Sequence, residues 1–286
     1  MQTAARPSAK AKTIVDFSEV KRMNKKEVVV ITGASSGIGR ACAEAFLKDG
    51  SVVYSLSRHK KFDDVLHVPC DVSDEEQVNA AFKKIFEKEG RIDILINNAG
   101  FGISGAVEFT ELSQAKKQFD VNFFGCFLCC KAVCEYMRKN RGGKIINISS
   151  MAAPLSIPFQ AFYSASKSAV NALTLALANE LRSFNISVCA FMPGDVKTAF
   201  TAEREKEIAG ADVYGEVINN SIAQMEKDEQ NGMSPEKIAK AVHSLARKKS
   251  PKPLSTTGLN YRLFAVLSKL LPVRAVNRIV GMIYSK

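Results

Sequence analysis

What this chain lacks narrows its class before any motif is read. No uncharged apolar run approaches the roughly 18–20 residues that a membrane-crossing helix needs, and the N-terminus has no apolar core followed by a small-residue cleavage site. Neither a membrane span nor a secretory signal is therefore expected, and the expected location is the cytoplasm. Histidine is scarce: His59, His67 and His243 are the only ones, and none has a cysteine or carboxylate at metal-ligand spacing. No metal site is expected. Seven cysteines are an odd number, and Cys126, Cys129, Cys130 and Cys134 in "CFLCCKAVC" fall along one face of a single apolar, helix-like stretch. A zinc site would draw paired ligands from two separated turns, so these read as reduced packing thiols. Acid is missing altogether from Arg247 to Lys286, while residues 6–26 hold Arg6, Lys10, Lys12, Lys21, Arg22, Lys25 and Lys26, so the net charge of +11 gathers at the two ends. No nucleic-acid-binding module and no platform of basic residues interleaved with aromatics accompanies it, which argues against a nucleic-acid partner.

What is present is an alternation of two periods. At 286 residues and 46% hydrophobic content the chain can fill a sizeable core. After a basic arm, residues 1–25, "KEVVVITG" is a short β-branched run ending in a glycine turn, and 37–48 reads as a helix. "SVVYSLS" and "VLHVP" follow as strands, 74–89 as a helix, "RIDILINN" as a strand and 112–139 as one long helix. "GKIINISS" is the next strand, 163–184 the next helix and "ISVCAFM" the next strand. Strands separated by helices imply right-handed crossovers and a parallel sheet covered on both faces. Residues 195–232 are polar, with helical stretches but no strand, and read as a lid over the carboxyl edge of that sheet. "SPEKIAKAVHSLARK" reopens a helix with Ser234 as N-cap and Pro235 in its first turn. A β-like "KPLSTTG" and an apolar, basic tail, 259–286, complete the chain.

Two stretches carry chemistry. "YSASK" places Tyr163 four residues ahead of Lys167, on one face of a helix, where a cation eases loss of the phenol proton. Alone, that spacing also fits a core tyrosine with a satisfied hydroxyl and a lysine in solvent. "TGASSGIG" sets Gly33, Gly37 and Gly39 between the first strand and the first helix, where glycines let the backbone turn sharply and approach a pyrophosphate. Its spacing departs from the G-x-G-x-x-G fingerprint, and the strand–turn–helix context carries the reading.

From about Lys26 to Thr198 the chain resembles the short-chain dehydrogenase/reductase family, and looks nearest to its hydroxysteroid and retinol dehydrogenase branch. "TGASSGIG", "CDVSD", "NNAG", "NFFG", "ISS", "YSASK" and "MPGDVKT" occur in that order. The resemblance implies a Rossmann-type, doubly wound parallel α/β sheet in one catalytic domain, 26–258, followed by a helical extension. It implies a catalytic set of Asn122, Ser150, Tyr163 and Lys167, with Ser150 rather than Ser149 at the family's distance from the tyrosine. Tyr163 would donate the proton and Ser150 hold the carbonyl oxygen; Lys167 would lower the tyrosine pKa and hold the nicotinamide ribose, while Asn122 supports a water that links Lys167 to solvent. For the cofactor it implies Gly33, Ser35, Ser36, Gly37, Ile38 and Gly39 at the phosphates, and Asp71 and Val72 near the adenine. Asn98, Ala99 and Gly100 follow the fourth strand, Pro193, Gly194, Val196 and Thr198 the sixth, with Tyr163 and Lys167 at the nicotinamide. Asn97 and Asn98 also read as structural ties of that strand.

Cofactor choice is read at the end of the second strand. Ser57 stands where an acid would hold a ribose 2′-OH, and Arg58 follows, which favours NADP(H) over NAD(H). The expected substrate is a hydrophobic carbonyl or alcohol, steroid-, retinoid- or lipid-like, lined by Met151, Ala152, Phe159, Met192 and the lid. Reduction of a 3-oxoacyl thioester and a non-catalytic NADP(H)-binding sensor or scaffold are the competing readings. Pairing through the helices 112–139 and 163–184, by Cys126, Cys130, Ala169, Leu173 and Leu177, is expected to give a homodimer or homotetramer. In the tail, Pro272 divides two short amphipathic helices whose apolar faces either cover the substrate pocket or a partner subunit, or lie on a membrane surface.

Overall fold

The computed structural model describes residues 26–198, 205–206 and 210–285. The basic arm 1–25 lies outside them, as do 199–204 and 207–209 of the lid. Seven strands form one parallel sheet: β1 (Val28–Thr32), β2 (Val52–Ser57), β3 (Leu66–Pro69), β4 (Ile94–Asn97), β6 (Gly143–Ile148), β7 (Ile186–Phe191) and β9 (Leu254–Ser255), in the order β3-β2-β1-β4-β6-β7-β9. The order reverses between β1 and β4, which places a ligand crevice at their carboxyl ends.

The helices on its faces are α1 (Gly37–Lys48), α2 (Glu75–Glu89), α3 (Leu112–Phe119), α4 (Gly125–Lys139), α5 (Ala152–Leu155) and α6 (Ala161–Glu180). They continue with α7 (Ala211–Tyr214), α8 (Glu216–Gln230), α9 (Pro235–Arg247), α10 (Leu259–Leu270) and α11 (Val273–Tyr284). Every residue of β1 is buried because both faces are covered: Val28 and Val30 pack into the core under α2, α4 and α6, Val29 and Ile31 into the core under α1 and α9. That two-sided burial explains an unbroken VVVI run in place of alternation. Ser234 accepts a hydrogen bond from the Lys237 amide and caps α9 as the sequence implies.

The structure corrects four expectations. The long helix over 112–139 is interrupted by a π-helical turn at Asp120–Phe124, which re-aims the side chains of that segment. The helix drawn over 163–184 runs from Ala161 to Glu180, and Arg182–Phe184 forms a separate 3₁₀ turn. The lid contains a two-residue strand, β8 (Glu205–Lys206), paired in parallel with β5 (Ile103–Ser104), a pairing of two distant segments too short to leave a periodic signal. Cys126 and Cys130 do not face outward: both are buried in the core beneath α4, and Leu173 and Leu177 pack partly against the same core. The apolar side chains that α4, α6 and the π turn expose are Phe124, Phe127 and Leu175. All seven cysteines are free and buried; burial pushes the Cys129 thiol well above the ordinary range, and a hydrogen bond with Cys126, together with burial, does the same to Cys130.

Candidate active site

The crevice begins with the turn after β1. Gly33 has φ +66°, and a side chain on Gly39 would overlap the Gly33 carbonyl, so the first turn of α1 can seat closely on the strand end only with glycine there. Thr32 Oγ1 accepts from the amides of Asn98 and Ala99, each at 2.9 Å, and Asn98 Nδ2 donates to Thr32 O and Gly33 O at 3.1 Å. These bonds join β1 to β4 across the point where the strand order reverses. Asn97 donates to Asn147 Oδ1 at 2.9 Å, and Asn147 to Thr174 Oγ1 at 2.9 Å, a buried polar line that ties β4, β6 and α6 together.

A single cleft of about 850 Å³ opens above these strand ends. Gly33, Ser35, Ser36, Gly37 and Ile38 line it at the N-terminus of α1, Ser57 and Arg58 after β2, and Asp71 and Val72 after β3. Asn98, Ala99, Gly100, Pro193, Gly194, Val196 and Thr198 line it as well, together with Ser150, Tyr163 and Lys167. Gly39 does not line it, being taken up in packing. Phe159 and Met192 also fall outside: Phe159 packs edge-on to Tyr214, and Met192 is buried with its sulfur 3.4 Å from Asn171 Nδ2. Of the expected substrate side chains, Met151 and Ala152 reach the cleft, with Met225, Asp228 and Glu229 from the lid.

Ser150, Tyr163 and Lys167 sit where β6 ends and α6 begins. Lys167 is buried and donates from Nζ to Ile148 O at 2.9 Å, and its Nζ lies 5.7 Å from the centre of the Tyr163 ring. Burial disfavours the ammonium and lowers its pKa from 10.5 to about 8. Ser149 donates to the Lys167 carbonyl at 3.2 Å and is wholly buried, whereas Ser150 faces the cleft and its Oγ accepts from the Ala152 amide at 3.0 Å. Asn122 stands behind the cleft in the π turn. Its Oδ1 accepts from the Phe101 amide at 3.0 Å, and its Nδ2 donates to Phe101 O at 2.9 Å and Ser166 Oγ at 3.2 Å. A Cβ on Gly100 would lie 3.0 Å from Asn122 Oδ1 and 3.5 Å from Lys167 Nζ, so both groups converge on one glycine. Such a constellation can polarise a carbonyl oxygen and deliver a proton to it.

The cleft is basic after β2. Arg58, His59 and Lys61 line the cleft. Arg40 is a different kind of cation: it forks onto Asp64 at 2.7 and 2.8 Å and stacks 3.9 Å from the Phe62 ring centre, which holds the loop after β2 in place. The donors and cradle fit a nicotinamide dinucleotide, with Gly33 to Ile38 for the pyrophosphate.

Comparison with known proteins matches this site to a family. The short chain dehydrogenase profile covers residues 27–209. The chain belongs to the short-chain dehydrogenase family. Within it, the chain is 39% identical to a 3-ketodihydrosphingosine reductase of Bacteroides thetaiotaomicron over 264 residues, 91% of this chain and 98% of that protein. Its fold resembles ElxO with NADP bound (TM-score 0.70, 30% identity, 83% of this chain and 99% of that one). It also resembles the 3-ketoacyl-(acyl-carrier-protein) reductase of Brucella melitensis complexed with NADH (TM-score 0.68, 28% identity, 81% and 96%). The chain is therefore an oxidoreductase that interconverts CH–OH and C=O with a nicotinamide cofactor.

Sequence reasoning placed no particular tail residue in the site. Tyr261, Phe264, Leu267, Leu271, Val280 and Tyr284 line the cleft from α10 and α11. Tyr261 donates to Asp195 Oδ2 at 2.7 Å and accepts from the Asp195 amide at 3.0 Å; its ring fills the space that a side chain on Gly194 would need. Tyr284 donates to Asp228 Oδ2 at 3.3 Å. Burial and the neighbouring carboxylates push both phenols well above their usual range. The apolar spacing was legible; which face is covered depends on where α5 and α8 stand.

Proposed function

We propose that this chain is an NADPH-dependent reductase of a ketone carried on a long-chain, lipid-like molecule, of the kind named by its 3-ketodihydrosphingosine reductase relative. The observation that carries the reading is the apolar wall that Phe264, Leu267, Leu271, Val276, Val280 and Ile283 add to the cleft that Tyr163 also lines. A bound, reduced nicotinamide supplies the hydride. Tyr163 gives its proton to the carbonyl oxygen as the alcohol forms, and Ser150 holds that oxygen by hydrogen bond. Lys167 favours the phenolate left behind and would hold the ribose, while Asn122 would support a water that links Lys167 to solvent. Arg58, with His59 and Lys61 beside it, holds the 2′-phosphate that separates NADP(H) from NAD(H). The seven buried, unbonded thiols suit a reducing compartment, and we assign the protein to the cytoplasm. Phe124, Phe127 and Leu175 pair two copies through α4 and α6.

The test is absorbance of NADPH with a long-chain 3-keto amino alcohol, a 3-oxoacyl thioester and a steroid ketone. Turnover of the first with at least about tenfold higher kcat/KM supports the reading; preference for the thioester overturns it in favour of acyl-carrier chemistry. The same assay with NADH separates the cofactors.

A further inference from the structure

The tail helices are apolar on two sides. The inner face of α10, with Tyr261, Phe264, Leu267 and Leu271 beyond it, closes the cleft. The outer face carries Leu259, Leu263, Val266 and Leu270 at spacings of four, three and four, a continuous helical stripe, and these side chains are 85%, 56%, 52% and 75% exposed. Val273, at the start of α11, is 85% exposed as well. None of the five lines the cleft. A helix that merely covered its own core would turn a polar back to solvent. α10 instead turns this apolar stripe outward, and none of its residues is fully buried.

The charge around the stripe selects its occupant. Arg262 and Lys269 are exposed on the same helix, Arg274 and Arg278 are exposed on α11, and no Asp or Glu occurs between Arg247 and Lys286. Two copies meeting through this stripe would bring like charges together, whereas a surface of anionic headgroups over acyl chains satisfies both features at once. Each helix has 12 residues, roughly 18 Å at the usual rise, too short to cross a bilayer and suited to lying in its surface.

We propose that the outer face of α10 and the start of α11 form a docking surface for an anionic lipid membrane, so that the cleft opens against the phase in which an apolar substrate is dissolved. The surface deepens the reading of a lipid-borne substrate, but its test reads binding rather than turnover, and the two can fail separately. The helices lie flat, the stripe enters the acyl boundary, and the basic side chains meet the headgroups.

The full chain is mixed with vesicles of phosphatidylcholine with and without phosphatidylglycerol and pelleted. Binding should be at least about tenfold stronger with the anionic lipid and fall as salt rises. Leu263→Gln with Leu270→Gln should lose vesicle binding at least about tenfold while NADPH fluorescence titration shows an unchanged cofactor affinity, which reports intact folding. Leu270→Cys, labelled with an environment-sensitive dye, should blue-shift on anionic vesicles only, since the native thiols are buried. Absence of wild-type binding to anionic vesicles at low salt, or equal binding by the double variant, overturns the proposal. So does sedimentation showing that the double variant turns a lipid-free dimer into a monomer while vesicles leave the wild type in solution, which would assign the stripe to a second copy.

Discussion

The glycine-loop half of the cleft and the tail half are held by different means. Around Gly33 the contacts are backbone to backbone or to short buried side chains: Gly33 N donates to Leu56 O at 2.9 Å, Asn98 grips Thr32 and Gly33, and every residue of β1 is buried. The tail is docked by side chains, with two tyrosine hydroxyls on two aspartates and an apolar inner face over α5 and α8. A cradle for a cofactor common to a whole family is built into strand register, where little can change without loss of the sheet. The apolar wall on the tail side is an appendage held by side-chain contacts to the loops and helices around the cleft, the kind of attachment expected to open before the sheet does.

The largest expected effect tests the rigid half. Tyr163→Phe should lower kcat by about 100- to 10,000-fold, as loss of a general acid does, and leave NADPH affinity nearly unchanged; more than a tenth of wild-type turnover would remove Tyr163 from the chemistry.

Lys167 gives a pH-dependent test of the same half. Its pKa is lowered from 10.5 to about 8 by burial, so between those values the unfolded chain holds a proton that the folded chain has released. The burden of a buried ammonium is complete below about pH 8 and is relieved as pH rises toward 10.5. The stability of the cofactor-free protein relative to Lys167→Met should therefore rise across that window, by on the order of 3 kcal/mol, in denaturant unfolding. A difference that stays flat with pH would mean that Lys167 is not desolvated.

At the adenosine end, Arg58→Ala should weaken NADPH by roughly 10- to 100-fold in a fluorescence titration and NADH by much less, since only the former presents a 2′-phosphate to the guanidinium. Equal losses would sink the NADP(H) assignment.

The smallest effect falls on the tail. Tyr261→Phe removes one hydroxyl from Asp195 and should cost about 1 kcal/mol of docking, seen as faster amide exchange in α10 with β1 unchanged. If β1 and α10 exchange at one rate, the two halves open as a unit and the contrast between them fails.

Much of the sheet was legible because a buried parallel strand leaves a run such as VVVI and a helix a 3.6-residue period, both consequences of local geometry. The residues that line the cleft were legible where they are neighbours in the chain or carry a family's spacing: Tyr163 with Lys167, Gly33 and Gly37 in the glycine turn, and Ser150 ahead of the tyrosine. Phe159 and Met192 were misplaced because the path of the chain says which loop is near the cleft, not which way a side chain turns. Cys126 and Cys130 were misread for the same reason, since an apolar helix face looks alike whether a sheet or another subunit covers it. From the residues alone came the alternation of strands and helices, the glycine turn, the placing of Tyr163 and Lys167 on one helix and the absence of acid in the tail, because each is set by composition or by near neighbours. Packing between distant segments brings Asn122 of the π turn to Gly100 beside Lys167, spends Arg40 on Asp64 while Arg58 and Lys61 face the cleft, and selects the apolar face of α10 that closes over the cleft. Those depend on contacts between segments far apart in the chain, and no local pattern encodes which of two similar faces another element will cover.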